Sequence, residues 1–117
     1  MDNDFVIHTE SRPHRVGYAS ISGSLHGNNA EQLMQRCQAL RSRGCQTLLL
    51  NLSQVSFIAS SGVGTLLALA EEMKDSGREL HLIDPSETVL SVLQLLKLAR
   101  YLSIASSEAD ALGTTQA

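Results

Sequence analysis

The chain has 117 residues, 43% of them apolar, which suits one domain with a buried core. A formal net charge of −3 and only 3% aromatics exclude the basic stripe and stacking rings of a nucleic-acid binder. No apolar run reaches the roughly 18 residues of a membrane span, and the start Met1-Asp2-Asn3-Asp4 is acidic where a signal peptide is basic, so a cytoplasmic protein is expected.

Residues 1–4 read as a disordered start, 5–112 as the domain and 113–117 as a flexible tail. Phe5–Glu10 and Val16–Ile21 read as strands. In the second, Val16, Tyr18 and Ser20 face one way and Gly17, Ala19 and Ile21 the other. The turn Ser11-Arg12-Pro13-His14-Arg15 between them suits an antiparallel hairpin. The loop from Gly23 leads into a helix with Asn29 as its cap and Gln32 completing a capping box. That helix runs to about Arg43, turns Leu33, Cys37 and Leu40 inward, and stops at Gly44.

Leu48-Leu49-Leu50-Asn51-Leu52 suits a strand buried on both faces, followed after a polar break by a second apolar patch, Val55–Ile58. Ala59-Ser60-Ser61-Gly62-Val63-Gly64 then opens a helix. Val63, Leu66, Leu67, Ala70 and Met73/Lys74 mark its inner face, and Gly77 closes it. Glu79–Ile83 is the next strand. Asp84 as cap, Pro85 at the first helical position and Glu87 reaching back start a further helix. Its buried stripe is Val89, Val92, Leu93 and Leu96. Leu90 and Leu95 fall off that stripe, which fits a wide buried face or a docking surface for a partner or a second copy in a homodimer. A short strand at Tyr101–Ile104 and a terminal helical turn over 106–112 complete the domain. After the hairpin, helices and strands alternate, the pattern of parallel strands joined by crossover helices in an α/β domain.

Chemistry concentrates at Ser60 and Ser61, at a helix N-terminus just past a core strand. Serines there either cap the helix or offer a hydroxyl where amides and the helix dipole favour added negative charge. Ser61, Asp84 and His26 fall at one end of such a sheet, as a hydrolase would need. The chain has no Gly-x-Ser-x-Gly elbow, however, and His26 precedes the serine, so no catalytic residue is expected. Cys37 and Cys45 lack a Cys-x-x-Cys spacing and read as buried free thiols. The four histidines are scattered, so neither metal nor cofactor is expected.

The pattern from Leu52-Ser53 through Val55-Ser56-Phe57-Ile58 to Ser60-Ser61-Gly62-Val63-Gly64 resembles the signature of STAS domains of the anti-sigma factor antagonist type. The resemblance covers roughly residues 5 to 112 and implies a single α/β domain, a mixed sheet of four or five strands with about four helices. It implies a binding protein, not an enzyme, whose partner is a serine-kinase anti-sigma factor. It also implies phosphorylation at Ser61 and a partner-binding edge of Ser24, His26, Ala59, Ser60, Ser61, Gly62 and Val63. This chain departs from the pattern at Ala59, where the family has aspartate. Ser24 and His26 replace the two acids of a Gly-Glu-Leu-Asp loop, and Lys97 replaces a glycine. With the aspartate missing, the same fold also suits an accessory subunit of a membrane transport complex, docked on an ATPase without a phosphorylation cycle.

Overall fold

A computed structural model of the chain describes residues 5–116. Its strands are β1 (Val6–Arg12), β2 (Val16–Leu25), β3 (Thr47–Ile58), β4 (Glu79–Ile83) and β5 (Ser103–Ala105), and they form one sheet in that order. Its helices are α1 (Gly27–Ser42), α2 (Ser60–Asp75), α3 (Glu87–Leu95) and α4 (Glu108–Gln116), with a short 3-10 turn at Ala99–Tyr101. β1 pairs antiparallel with β2, and the other neighbours pair parallel. The hairpin followed by crossover helices is therefore the mixed α/β architecture expected.

The leucine run explains how the layers are held. Leu48, Leu50 and Leu52 pack with Ala19, Ile21, Leu80 and Leu82 beneath α1, α2 and α3. Leu49 points the other way, into a smaller cluster with Val16, Ile83 and Ala111 of α4. A period of two thus serves two cores, because β3 lies in the middle of the sheet with cover on both faces. On α1, Leu33, Cys37 and Leu40 are buried as expected, joined by Ala30.

Three helices stop in the same way. After α1, Gly44 donates its N–H to the Arg41 carbonyl at 2.9 Å and Cys45 to Leu40 at 3.3 Å. After α2, Gly77 bonds to Lys74 at 3.0 Å and Arg78 to Met73 at 2.7 Å. Both are Schellman motifs with a left-handed glycine. α3 ends with the same two bonds, Lys97 to Gln94 at 3.0 Å and Leu98 to Leu93 at 2.8 Å. Here the left-handed position, φ 61°, is occupied by Lys97, which explains why a glycine would suit it.

Several expectations are corrected. β3 is continuous through the polar break, and β2 runs on past Ile21 to Leu25 because Ser22, Gly23 and Ser24 pair with Gln54, Val55 and Phe57. Asn29 is not the cap of α1. The helix starts two residues earlier, and Asn29 reaches back to accept the His26 N–H at 2.7 Å. Asp84 is not the cap of α3 either. It lies in a left-handed turn at φ 48°, and Ser86 is the cap, its hydroxyl accepting from the Val89 N–H at 3.3 Å and donating to the Val55 carbonyl at 2.7 Å. Pro85 therefore precedes the cap and is not the first helical residue.

On α2, Leu69 takes a buried place while Leu67 and Ala70 are only half-buried and Lys74 is exposed. On α3, Val89 and Leu93 are buried, Val92 is partly so, and Leu96 is exposed. The last strand lies at Ser103–Ala105, after the 3-10 turn. The expected start at 1–4 and the last residue of the expected tail fall outside the described residues, while α4 runs through 113–116.

Candidate functional site

The two long central strands set the site. β2 and β3 stay paired to their ends, Leu25 opposite Ile58, although the register shifts between Ser20 and Ser22 and again between Gly23 and Ser24. The Ala59 N–H continues the pairing by donating to the Leu25 carbonyl at 3.0 Å. Two helices consequently begin side by side, α1 at Gly27 and α2 at Ser60. Across this junction the Ser61 hydroxyl accepts a hydrogen bond from the Gly27 N–H at 2.8 Å.

Capping does not explain the serines. The cap position of α2 is Ala59, which has no side-chain acceptor, and Ser60 and Ser61 lie inside the first turn. Neither α1 nor α2 has an acidic residue in its first turn. Ser61 is exposed and stands at the positive end of its own helix, in contact with the first amide of another. An anion attached to its hydroxyl would be favoured by both dipoles and opposed by no first-turn carboxylate.

Around Ser61, His26 and Ser60 are exposed, Ser24 and Ala59 are half-buried, and Gly62 and Val63 are buried. Gly62 and Val63 thus support this edge from beneath. Gly62 allows a very close approach: a Cβ there would lie 2.8 Å from the Leu25 carbonyl oxygen and 2.9 Å from Ile58 Cγ1. Val63 packs in the main core and closes the first helical turn onto the Ala59 carbonyl at 3.0 Å.

Three contributors lie outside the expected edge. Gly27 supplies the amide that meets Ser61. Asn29 donates to the Ser24 carbonyl at 2.8 Å while accepting from His26, and so holds those two residues in one turn. Phe57, opposite Ser24 in the register, is 52% exposed and adds an apolar surface beside the junction. Asn29 carried a signal as a capping residue and Phe57 as an aromatic residue next to serine at a strand end; Gly27 carried none. Among the described residues no group of three or more His, Cys, Asp and Glu side chains is arranged to hold a metal ion, and no helix is long and apolar enough to cross a membrane.

The family model for the STAS domain matches residues 11–111. The chain belongs to the STAS domain family. An anti-sigma F factor antagonist of Paenibacillus polymyxa is 28% identical to this STAS domain over 108 residues, 91% of this chain and 92% of that protein. Its fold matches an anti-sigma factor antagonist from Mycobacterium paratuberculosis with a TM-score of 0.80 at 23% identity, covering 96% of each chain. It also matches the Bacillus cell fate determinant SpoIIAA in the phosphorylated form, with a TM-score of 0.72 at 23% identity over 94% of this chain and 99% of that one. The position where the family pattern has aspartate is, in this STAS domain, the uncapped start of α2.

Proposed function

We propose that this STAS domain is an anti-sigma factor antagonist that binds a serine-kinase anti-sigma factor through the Ser24, His26, Ser60 and Ser61 edge, and that phosphorylation of Ser61 ends the interaction. The observation that carries the reading is the exposed Ser61 hydroxyl set between two helix N-termini, 2.8 Å from the Gly27 amide and not spent on a cap. Unmodified, the edge is small and carries no acidic residue, lysine or arginine, with Phe57 as an apolar neighbour. A phosphate adds roughly −1.5 to −2 charges, which the helix ends tolerate but a close-packed interface does not. The named similarity to an anti-sigma F factor antagonist supports the partner class.

The test is phosphorylation by the kinase partner with the site mapped by mass spectrometry. Phosphate on Ser61, lost in Ser61→Ala, and weakened partner binding by Ser61→Asp are expected. No phosphate on Ser61 together with unchanged binding by Ser61→Asp would overturn the reading.

Ala59 favours a second reading, an accessory subunit docked on the ATPase of a transport complex. Pull-down from native cells separates the two: a small kinase-like ATPase supports partner switching, and transporter subunits support the alternative.

A further inference from the structure

The far end of α3 carries the largest exposed apolar side chains outside the Ser61 edge. Leu95 is 81% exposed, Leu96 52% and Tyr101 63%. Next to them in the chain, Gln94, Lys97, Ala99 and Arg100 line a groove of about 300 Å³. From Thr88 to Ser107 there is no acidic residue, and the only charges are Lys97 and Arg100, although the whole chain carries −3. Among the described residues neither cation pairs with a carboxylate. Arg100 instead lies over the Tyr101 ring, 5.1 Å from its centroid, and donates to the Tyr101 hydroxyl at 3.2 Å.

Such a surface combines apolar anchors with two cations, and the segment that builds it supplies no acid of its own. We propose that the groove between α3 and the 3-10 turn docks an acidic amphipathic helix of a partner protein. Leu95 and Leu96 meet its apolar stripe, and Lys97 and Arg100 meet its flanking carboxylates. A second copy of this chain is a poorer occupant, because a two-fold contact here would set the same two-cation patch of each copy against the other. An anionic membrane is also poorer: two cations attract it only weakly, opposed by the net negative charge of the chain.

The experiment titrates the isotope-labelled full chain with two synthetic helical peptides that share one leucine stripe, flanked by glutamates in one and lysines in the other. The acidic peptide should bind about tenfold or more tightly than the basic one, shift the amides of residues 94–101, and weaken as salt rises from about 0.05 M to about 0.5 M. The Lys97→Glu/Arg100→Glu double variant should reverse the preference. Leu95→Ser, which removes a side chain outside the core, should weaken the acidic peptide with the fold intact by circular dichroism. Equal binding of both peptides, or shifts confined to other residues, would overturn the proposal. So would self-association or phosphatidylserine-vesicle binding that Leu95→Ser abolishes while the acidic peptide fails to bind.

Discussion

The Ser61 hydroxyl and the Gly27 amide, 34 residues apart in sequence, meet at 2.8 Å and tie the starts of two helices together. The bond is exposed, so water replaces it readily, and Ser61→Ala should lower stability by only about 0.5 kcal/mol. Ser61→Asp keeps an acceptor and adds negative charge at a helix N-terminus, worth about 0.3–1 kcal/mol. The aspartate variant should therefore unfold in urea at or above the wild-type midpoint and above that of the alanine variant. A lower midpoint for Ser61→Asp than for Ser61→Ala would show that the junction does not accept an anion.

Ala59 leaves the first amides of α2 without a side-chain acceptor. Ala59→Asp supplies one and should stabilise the fold by about 0.5–2 kcal/mol. Combined with Ser61→Asp, two carboxylates share one helix end, so the joint gain should be smaller than the sum of the single gains. Additive urea midpoints would mean that the charges do not sense each other.

Gly62 and Gly64, two positions apart on α2, should respond with opposite signs. A methyl group at Gly62 would collide with the Leu25 carbonyl and Ile58, whereas one at Gly64 meets nothing within 4 Å. Gly62→Ala should cost about 1–3 kcal/mol as α2 is pushed from the sheet. Gly64→Ala should stabilise by about 0.5–1 kcal/mol through helix propensity. Thermal melts of the two variants give the check, and losses of equal size would refute the close approach at Gly62.

The parts of this fold that were legible from sequence depend on neighbours in the chain. Leu48 to Leu52 announced a strand covered on both faces, and Gly44 and Gly77 announced helix ends, because periodicity and left-handed glycine are local signals. The start of α3 misled, since Asp84 and Ser86 are both good caps and Pro85 fits beside either. Long-range bonds decide between them: the Ser86 N–H to the Leu52 carbonyl at 3.1 Å and the Ser86 hydroxyl to Val55. Gly23-Ser24 looked like a loop because its strand propensity is weak, and pairing with β3 overrides that propensity. Ser61 was legible as a residue at a helix start. Its contact with Gly27 was not, because it rests on a β2–β3 register with two shifts.

Lys97 ends α3 in the left-handed region at φ 61° with both bonds of the Schellman motif formed. A side chain with a Cβ pays roughly 1–2 kcal/mol there, partly offset because glycine is freer in the unfolded chain. Lys97→Gly should raise stability by about 0.5–1 kcal/mol, and Lys97→Ala should leave it close to wild type. Equal midpoints for the glycine and alanine variants would mean that the turn carries no strain.

Burial pushes the Cys37 thiol up to about 12, with Cys45 raising it further and Arg36 pulling it down. An unfolded thiol titrates near 8.5, so as pH rises the unfolded state loses its proton first. The resulting stability is fully present below about pH 8.5 and declines by up to about 1.4 kcal/mol per pH unit as pH rises toward the folded value. Burial also raises the Cys45 thiol, which adds a loss of the same sign. Urea unfolding at about pH 8 and about pH 10 should therefore show a steeper loss for the wild type than for Cys37→Ala, because only the wild type carries this thiol. Ellman's reagent should also label Cys37 slowly in the native chain and quickly in urea. Equal pH slopes for wild type and Cys37→Ala, with rapid native labelling, would place the thiol outside the core.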